Sequence, residues 1–269
     1  MEYEFVYGPV QSRRLGRSLG VSSVTGKTCN FNCVFCELGH TTHQHPERTT
    51  LPAPDAVLAE IGRALEEYGD QVDWVTFSGY GEPTLNQALG YLITRTKTLT
   101  SLPVAVFTNG LLLQREEVRR SLYLADLVAP TLCAADDDTL KRMHRSVTEL
   151  RIDDVVEGLV QFRQEYEGKL WVEVMLVHGM NDDEEHLRAL RLLLDRVKPD
   201  QTYIATPCHP PAEDWVGLPG SEDLDRARDL LGDVIVLPQD EGDVSCEHGV
   251  VSAPSGGDGE DVEGDSETS

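Results

Sequence analysis

The sequence lacks any run of apolar residues long enough to cross a membrane. A membrane-spanning helix needs roughly 20 consecutive apolar residues, and no stretch of the 269-residue chain comes near that length. The first residues, Met1 to Glu4, also lack the basic start and apolar core of a secretion signal. We therefore expect a cytoplasmic protein with no membrane partner.

Lysine is scarce, and the chain as a whole is strongly acidic. Only 5 of the 23 basic residues are Lys, against 47 acidic residues, and the formal net charge is −24. Because nucleic acids are bound largely through Lys and Arg, this balance argues against a non-specific nucleic-acid-binding protein. Acid-rich, Lys-poor chains resemble halophilic proteins, in which salt screens self-repulsion. We favour this halophile-like interpretation over that of an ordinary acidic cytosolic enzyme.

Basic residues are absent after Arg228, whereas 12 acidic residues follow it. Half of the net negative charge therefore belongs to this end of the chain, and residues 1–228 carry −12. The last stretch consists mainly of Gly, Ser, Asp and Glu, which offer almost nothing to bury. The sequence predicts one domain over 1–250 and a disordered acidic tail over 251–269.

Strands and helices alternate along the body of the chain. The predicted strands cover 19–24, 72–77, 103–107, 126–131, 169–177 and 201–205, with a short apolar run at 234–237. The predicted helices cover 53–68, 86–97, 116–124, 152–166, 182–197 and 221–231. This alternation predicts six βαβ units and a parallel sheet, either an incomplete barrel or an open doubly wound sheet. In both, functional residues gather at the carboxyl ends of the strands.

Three of the six cysteines lie close together after the first predicted strand. The segment reads Cys29-Asn-Phe-Asn-Cys33-Val-Phe-Cys36. Closely spaced thiolates bind zinc or iron–sulfur clusters rather than hard cations. A structural zinc site needs a fourth protein ligand, which His40, His43 or His45 would supply. Three cysteines without a fourth indicate instead a cubane cluster that leaves one iron open.

The spacing Cys-x3-Cys-x2-Cys, with Phe35 before the last cysteine, resembles the signature of radical S-adenosylmethionine (SAM) enzymes. A second segment, Ser-Gly-Tyr-Gly-Glu-Pro-Thr at 78–84, follows the second predicted strand. It resembles the Gly-Gly-Glu-Pro element of the same family, which receives the amino group of SAM. Glycine permits close approach of the backbone, and Glu82 and exposed carbonyls offer acceptors to an ammonium group.

The resemblance implies a partial (β/α)6 TIM-like barrel with parallel strands and two cofactors, a [4Fe–4S] cluster and SAM. The cluster ligands would be Cys29, Cys33 and Cys36. The cofactor-binding residues would be Phe35, Gly79, Gly81, Glu82, Thr108 and Asn109. Of these, Thr108 and Asn109 would contact the SAM carboxylate or ribose, or simply form a turn after their strand. An external donor, ferredoxin or flavodoxin, would supply one electron, and cleavage of SAM would give a 5′-deoxyadenosyl radical that abstracts hydrogen from an unidentified substrate.

Further segments narrow the resemblance to the subgroup related to tRNA wyosine-synthesis enzymes. They lie at 7–20, 27–29, 107–110, 177–182 and 206–213. The wyosine-forming enzymes carry additional cysteines upstream of the SAM motif, whereas this chain has no Cys before Cys29. This difference and the acidity of the chain count against tRNA as the substrate.

Candidate catalytic residues follow or lie within other predicted strands: Cys133, Cys208 and Glu173. Alternation places Glu173 on one face with Trp171 and Met175, while a buried, inert thiol is the commoner fate of a cysteine.

Two polar groups have structural interpretations. Asn181 is predicted to cap the helix that follows it. Arg13, Arg14 and Arg17 are predicted to pair with the protein's own carboxylates rather than with an anionic substrate.

Two other classes of protein remain. A non-catalytic iron–sulfur protein for electron transfer would have four cysteine ligands and no dependence on SAM. A zinc-binding adaptor would recruit one of the three histidines that follow the cysteine cluster.

Overall fold

The computed structural model of the chain describes residues 3–50, 52–207 and 210–238. The strands are β1 (Val6–Ser12), β2 (Gly16–Ser22), β3 (Thr28–Cys29), β4 (His43–Gln44), β5 (Trp74–Ser78), β6 (Val104–Thr108), β7 (Leu127–Pro130), β8 (Lys169–Met175), β9 (Gln201–Ala205) and β10 (Val234–Val236). The helices are α1 (Pro54–Tyr68), α2 (Leu89–Leu99), α3 (Glu116–Leu122), α4 (Asp137–His144), α5 (Ile152–Glu165), α6 (Glu184–Val197) and α7 (Ser221–Leu231).

Eight strands form one sheet in the order β1-β2-β5-β6-β7-β8-β9-β10. From β2 to β10 all neighbours are parallel, whereas β1 pairs with β2 in the antiparallel sense. Because the strands follow one another in chain order, the sheet lacks the reversal that defines a doubly wound fold. The predicted partial barrel with parallel strands is confirmed, and the doubly wound alternative is wrong.

Four of these elements were not predicted from the sequence: the two-residue strands β3 and β4, strand β1 and helix α4. Strand β1 contains the dipeptide Gly8-Pro9 and lacks a clean alternation of apolar residues, so it gave no strand signal. Helix α4 is eight residues long and mostly polar, with Leu140 and Met143 as its only large apolar residues. It begins at the cap residue Asp136, whose side chain accepts a hydrogen bond from the amide of Thr139.

Along each strand, successive side chains alternate between the two faces of the sheet. In β8, Leu170, Val172 and Val174 are fully buried in the main core beneath the helices. Trp171 and Glu173 lie on the opposite, concave face, as alternation predicts. Small residues on that concave face, such as Ala129 of β7, leave room for a pocket.

None of the helices in the described ranges combines the length and apolar character that a membrane crossing needs. Two predictions concern residues outside those ranges: the candidate catalytic residue Cys208 and the acidic tail over 251–269.

Candidate functional site

A pocket of about 210 Å³ opens at the carboxyl ends of the parallel strands. Its lining comes from the cysteine loop and from the segments that follow β5, β6 and β7, and it includes Arg14 and Glu173. The proposed cofactor residues in the lining are Cys29, Cys33, Cys36, Gly79, Gly81, Glu82, Thr108 and Asn109. This is the place that the parallel sheet predicts for functional groups.

The three cysteines approach the pocket from one loop. Cys29 ends β3, and its sulfur accepts hydrogen bonds from the amide of Phe31 at 3.4 Å and from Nδ2 of Asn109 at 3.7 Å. Burial, and then the carboxylate of Glu82, raise the pKa of the Cys29 thiol to about 12. Burial also raises the pKa of Cys33. Iron or zinc must therefore displace a proton from each of these two thiols on binding.

The three thiols are not gathered as closely as the ligands of a single zinc ion. In a tetrahedral zinc site with Zn–S bonds of about 2.3 Å, the sulfur atoms lie roughly 3.8 Å apart. Among the described residues, only His178, Asp182 and Asp223 bring three possible ligand atoms within 4.8 Å of one another. The cysteine sulfurs are therefore spread more widely than one zinc ion requires.

The histidines of the zinc hypothesis lie elsewhere. Within the described part of the chain, neither His40 nor His43 nor His45 lines the pocket. His43 is an exposed residue of β4, and its Nδ1 contacts the hydroxyl of Thr42. A fourth zinc ligand is thus not supplied by these residues, and three soft thiolates in one pocket fit an iron–sulfur cluster better.

The buried ammonium group of Lys27 independently supports the binding of a negatively charged group in the pocket. Nζ of Lys27 is buried, lines the same pocket, and has no hydrogen-bond partner among the residues that the structure describes. The positive charge of Lys27 opposes the increase in the pKa of Cys33 that burial and the neighbouring thiols cause. An unpartnered buried ammonium group is costly unless a negative charge comes close to it. A thiolate-bound cluster would supply that charge.

Phe35 occupies a different position from the one that the resemblance implies. Its ring belongs to a second apolar cluster with Val34, Cys133 and Met180, and it lies edge-on to the ring of His144. Among the described residues that line the pocket, Phe35 does not appear. Its role in binding a cofactor therefore gains no support from this placement.

The loop after β5 is packed directly against the cysteine loop. A Cβ atom on Gly81 would lie 1.8 Å from the carbonyl oxygen of Thr28, so no larger residue fits there without displacement. The next amide, that of Glu82, donates a hydrogen bond to the same carbonyl at 3.0 Å. Gly79 adopts a φ of +101°, which favours glycine. Gly81 is thus required by the close approach of the two loops, and Gly79 by its backbone conformation.

The carboxylate of Glu82 is almost fully buried and accepts four hydrogen bonds from the chain. Oε1 accepts from the amide and hydroxyl of Thr84 and from the hydroxyl of Thr108, and Oε2 accepts from the amide of Asn109 at 2.7 Å. Burial raises the pKa of Glu82, and these four hydrogen bonds oppose the increase. These hydrogen bonds make Glu82 the link between the two loops, and Oε2, which accepts only one of the four, keeps one acceptor site.

Asn109 connects the end of β6 to the cysteine loop. Its Nδ2 donates to Oδ1 of Asn30 at 2.6 Å as well as to the sulfur of Cys29, and its Oδ1 accepts from the amide of Leu111. The following Gly110 has a φ of +77°, as expected for a tight turn. Asn109 therefore forms a turn and contacts a proposed cluster ligand at the same time.

The arginines near the N-terminus form ion pairs inside the protein, as predicted for Arg14 and Arg17. Arg14 pairs with Glu173 across the pocket, and its guanidinium lies 5.2 Å from the centre of the Phe107 ring. Arg17 pairs with Asp73 at 3.0 Å on the exposed side. Glu173 thus faces the interior of the barrel, and its charge is compensated.

The prediction that Asn181 caps a helix is wrong. The cap of α6 is Asp183, whose side chain accepts from the amide of His186. Asn181 is fully buried instead: its Nδ2 donates to the carbonyls of Cys133 and Met175, and its Oδ1 accepts from the amide of Val177. It turns inward because these backbone groups have to be satisfied in a buried turn.

A functional contact that the sequence did not reveal involves His144, the last residue of α4. Its buried ring contacts the sulfur of Cys33 through Nδ1 and the sulfur of Cys133 through Nε2. Burial lowers the pKa of His144 to about 4 and raises that of Cys133 to about 12, so both are neutral at physiological pH. Cys133 is buried behind the cysteine loop, as the commoner fate of a cysteine predicts.

The sequence profile of the Radical SAM superfamily matches residues 23–190. A protein named GTPase Obg from Brachyspira hyodysenteriae is 35% identical over 223 residues, which cover 83% of this chain and 33% of that protein. A UPF0026 protein of Methanocaldococcus jannaschii is 30% identical over 230 residues, covering 85% and 71%. Another, from Synechocystis, is 36% identical over 207 residues, covering 76% of each. This chain spans about a third of the length of the first relative.

Solved structures with the same fold include radical SAM proteins. A radical SAM methyltransferase from Sphaerobacter thermophilus superposes with a TM-score of 0.61 at 19% identity, covering 86% of this chain and 69% of its own. SuiB of Streptococcus suis, bound to SAM, gives 0.54 at 16% identity, covering 78% and 43%. Archaeal TYW1 gives 0.53 at 17% identity, covering 82% and 72%. At these identities the superpositions show a shared fold.

Proposed function

The chain belongs to the radical SAM superfamily, whose members are enzymes, and on that premise we propose that it cleaves SAM reductively at a [4Fe–4S] cluster held by Cys29, Cys33 and Cys36. The observation that carries the proposal is the convergence on one pocket of the cysteine loop, the loop at 79–82 and Asn109. When bound, the cluster and SAM supply a 5′-deoxyadenosyl radical that abstracts hydrogen from a substrate. The electron would come from ferredoxin or flavodoxin.

The residues around the pocket would hold these groups in place. Lys27 would compensate the negative charge of the thiolate cluster, and Asn109 would orient the sulfur of Cys29 through its hydrogen bond. Because the carboxylate of Glu82 already accepts four hydrogen bonds from the chain, we assign the SAM ammonium mainly to backbone carbonyls of the loop at 79–82. Glu82 would act by fixing that loop against Thr108.

The substrate would enter on the side of the pocket opposite the cysteine loop. Arg14, Phe107 and Glu173 line the concave face of the barrel there, and Arg14 contacts both of the others. Enclosure in a barrel suits a reactive radical, since it limits attack on other C–H bonds. Cys208 stays a candidate catalytic residue on sequence grounds alone.

Within the superfamily we propose a relationship to the wyosine-synthesis subgroup, supported by the motifs at 107–110 and 177–182. The second of these motifs contains Asn181, which supports the turn behind the cysteine loop. Modification of a tRNA base is the second candidate reaction. The net charge of −12 over residues 1–228 counts against so polyanionic a substrate.

The proposal is tested by anaerobic reconstitution with iron and sulfide, reduction with dithionite and measurement of 5′-deoxyadenosine after SAM is added. The wild-type chain should form 5′-deoxyadenosine and methionine, and Cys33→Ala should abolish both. Cys246→Ala, which removes a cysteine without an assigned role, should retain cleavage. Zinc in place of iron would favour the adaptor, and a four-cysteine cluster that leaves SAM intact would favour electron transfer; either result contradicts the proposal.

A further inference from the structure

The imidazole of His144 lies between two cysteine sulfurs on opposite sides of its ring. Nδ1 is 3.2 Å from Sγ of Cys33, and Nε2 is 3.2 Å from Sγ of Cys133. Cys33 is a proposed cluster ligand, whereas Cys133 follows β7 and lies 1% exposed behind the cysteine loop. The ring therefore connects a ligand on the pocket side to a thiol in the interior.

The end of α4 holds the cysteine loop and the ring together. The amide of Asn32 donates to the carbonyl of His144, and the amide of Val34 donates to that of Met143, both at 2.9 Å. The rings of Phe31 and Phe35 lie 4.8 Å and 5.5 Å from the imidazole, the second one edge-on. The imidazole is thus enclosed and has little freedom to turn away from Cys33.

Cys133 is fixed from its other side. Nδ2 of Asn181 donates to the carbonyl of Cys133 at 2.8 Å, and Asn181 is itself held by the amide of Val177. A network therefore runs from Asn181 through Cys133 and His144 to Cys33. Each of its members is buried or half-buried, so water does not replace these contacts.

The chemistry of Cys33, His144 and Cys133 determines which of their atoms carry a proton. A sulfur bound to iron carries no proton, so Cys33 is an acceptor when a cluster is present. A neutral imidazole has one N–H group, and an acceptor at Cys33 places it on Nδ1. Nε2 of His144 then carries a lone pair, which accepts a hydrogen bond from the protonated thiol of Cys133.

We propose that His144 is a positioning residue that donates a hydrogen bond from Nδ1 to the cluster ligand Cys33, and that the thiol of Cys133 fixes the tautomer that makes this possible. The inference rests on the proposed cluster at Cys29, Cys33 and Cys36. A hydrogen bond to a ligand sulfur stabilises the reduced, more negative cluster, and therefore raises its reduction potential. Reduction by a protein donor becomes easier as a result.

The test is a redox titration of the reconstituted cluster, monitored by electron paramagnetic resonance, in wild type, His144→Phe, Cys133→Ala and Cys133→Ser. His144→Phe keeps an aromatic ring and removes both nitrogens. At a fixed potential we expect its ratio of reduced to oxidised cluster to fall about tenfold, equivalent to roughly 59 mV for one electron. Cys133→Ala should shift in the same direction by less, and Cys133→Ser, which keeps a donor, should match wild type.

A second measurement follows the hydrogen bond directly. Electron–nuclear double resonance in H2O and D2O should show exchangeable protons coupled to the cluster in wild type, and His144→Phe should lose one of these couplings while those from the donors to Cys29 remain. A purely structural role would change the free energy of unfolding and leave both the potential and these couplings as they are.

Iron and sulfide contents separate the possible failures. A wild-type chain that forms no [4Fe–4S] cluster would contradict the proposed function itself. Equal loading of wild type and His144→Phe with equal potentials would overturn the inference alone. If His144→Phe takes up no cluster, Cys133→Ala and Cys133→Ser decide: different potentials support the inference, and equal ones overturn it.

Discussion

The hydroxyl of Thr108 donates a 2.5 Å hydrogen bond to Oε1 of Glu82 and thereby joins the ends of β5 and β6. The other carboxylate oxygen accepts from the amide of Asn109 at 2.7 Å. Both contacts are buried or half-buried, and Asn109 in turn contacts the sulfur of Cys29. One carboxylate, that of Glu82, therefore fixes the position of the proposed SAM-binding loop relative to the proposed cluster loop.

Glu82→Gln should lower the free energy of unfolding of the protein and its affinity for SAM. Each oxygen of Glu82 accepts from a backbone amide, that of Thr84 on one side and that of Asn109 on the other. A glutamine amide has only one oxygen, so in either orientation its NH2 group faces a backbone N–H. We expect a loss of about 1–3 kcal/mol in the free energy of unfolding and about tenfold weaker SAM binding, measured by denaturant titration and by calorimetry.

Glu66→Gln is the matched control for this change, because Glu66 is an exposed residue of α1. It should leave both measured quantities close to wild type. Equal stability of Glu82→Gln and Glu66→Gln would show that the carboxylate does not hold the two loops together.

Gly81→Ala should displace the loop after β5 from the cysteine loop. The new methyl group would overlap the carbonyl oxygen of Thr28, a backbone atom that cannot move without β3. Overpacking of this kind costs roughly 1–3 kcal/mol. Gly62→Ala is the matched control: it lies within α1 with nothing within 4 Å of the new Cβ, and should stabilise the chain by about 0.5–1 kcal/mol.

Both glycine variants are compared with wild type by their melting temperature and by their iron content after reconstitution. We expect Gly81→Ala to melt earlier and to retain less iron after reconstitution, whereas Gly62→Ala melts later with unchanged iron. Wild-type iron content and melting in Gly81→Ala would contradict the close packing of the two loops.

Asp136→Ala should destabilise α4, the helix that carries His144. The side chain of Asp136 caps the helix by accepting from the amide and the hydroxyl of Thr139, and its loss should cost about 1 kcal/mol. Asp138→Ala, at an exposed position in the first turn of the same helix, should cost less. A change equal in the two variants would exclude a capping role.

The contribution of Asp136 should also depend on pH. Burial alone would raise its pKa, but the hydrogen bonds from Thr139 and the neighbouring His186 outweigh burial and hold the pKa of Asp136 below its ordinary value of 3.8. The carboxylate therefore stabilises the folded chain at neutral pH, and this stabilisation disappears as the pH falls below 3.8. The difference in unfolding free energy between wild type and Asp136→Ala should narrow in acid.

Salt should stabilise the protein. The net charge of −24 means strong self-repulsion, and the screening length falls from about 10 Å at 0.1 M salt to about 3 Å at 1 M. The melting temperature should therefore rise with KCl over that range. A melting temperature that stays constant or falls would contradict the halophile-like interpretation.

The alternation of strands and helices and the cysteine motif could be predicted because they depend on local patterns, whereas the order of the strands in the sheet could not. Alternating apolar residues placed Trp171 and Glu173 on one face of their strand, and the spacing from Cys29 to Cys36 indicated a metal cluster before any contact was known. The bounds of α7 (Ser221–Leu231) and β9 (Gln201–Ala205) agree with the predicted ranges.

Contacts between distant segments could not be predicted in this way. His144 contacts Cys33 across 111 positions of the chain, and the short polar helix that carries it has too few apolar residues to show helical periodicity. Asn181 lies at a position typical of a helix cap, but its side chain instead forms hydrogen bonds with buried backbone groups. Tertiary packing creates the first contact without any local signal and overrides the local signal in the second case.

Three cysteine ligands would leave one iron of the proposed cluster open for SAM. Electron–nuclear double resonance on the reduced, reconstituted protein with SAM carrying 15N in its amino group tests this claim most directly. The account predicts a 15N coupling to the cluster that appears with labelled SAM and is absent when the label is omitted. A fully loaded [4Fe–4S] cluster that shows no 15N coupling at saturating SAM would contradict it.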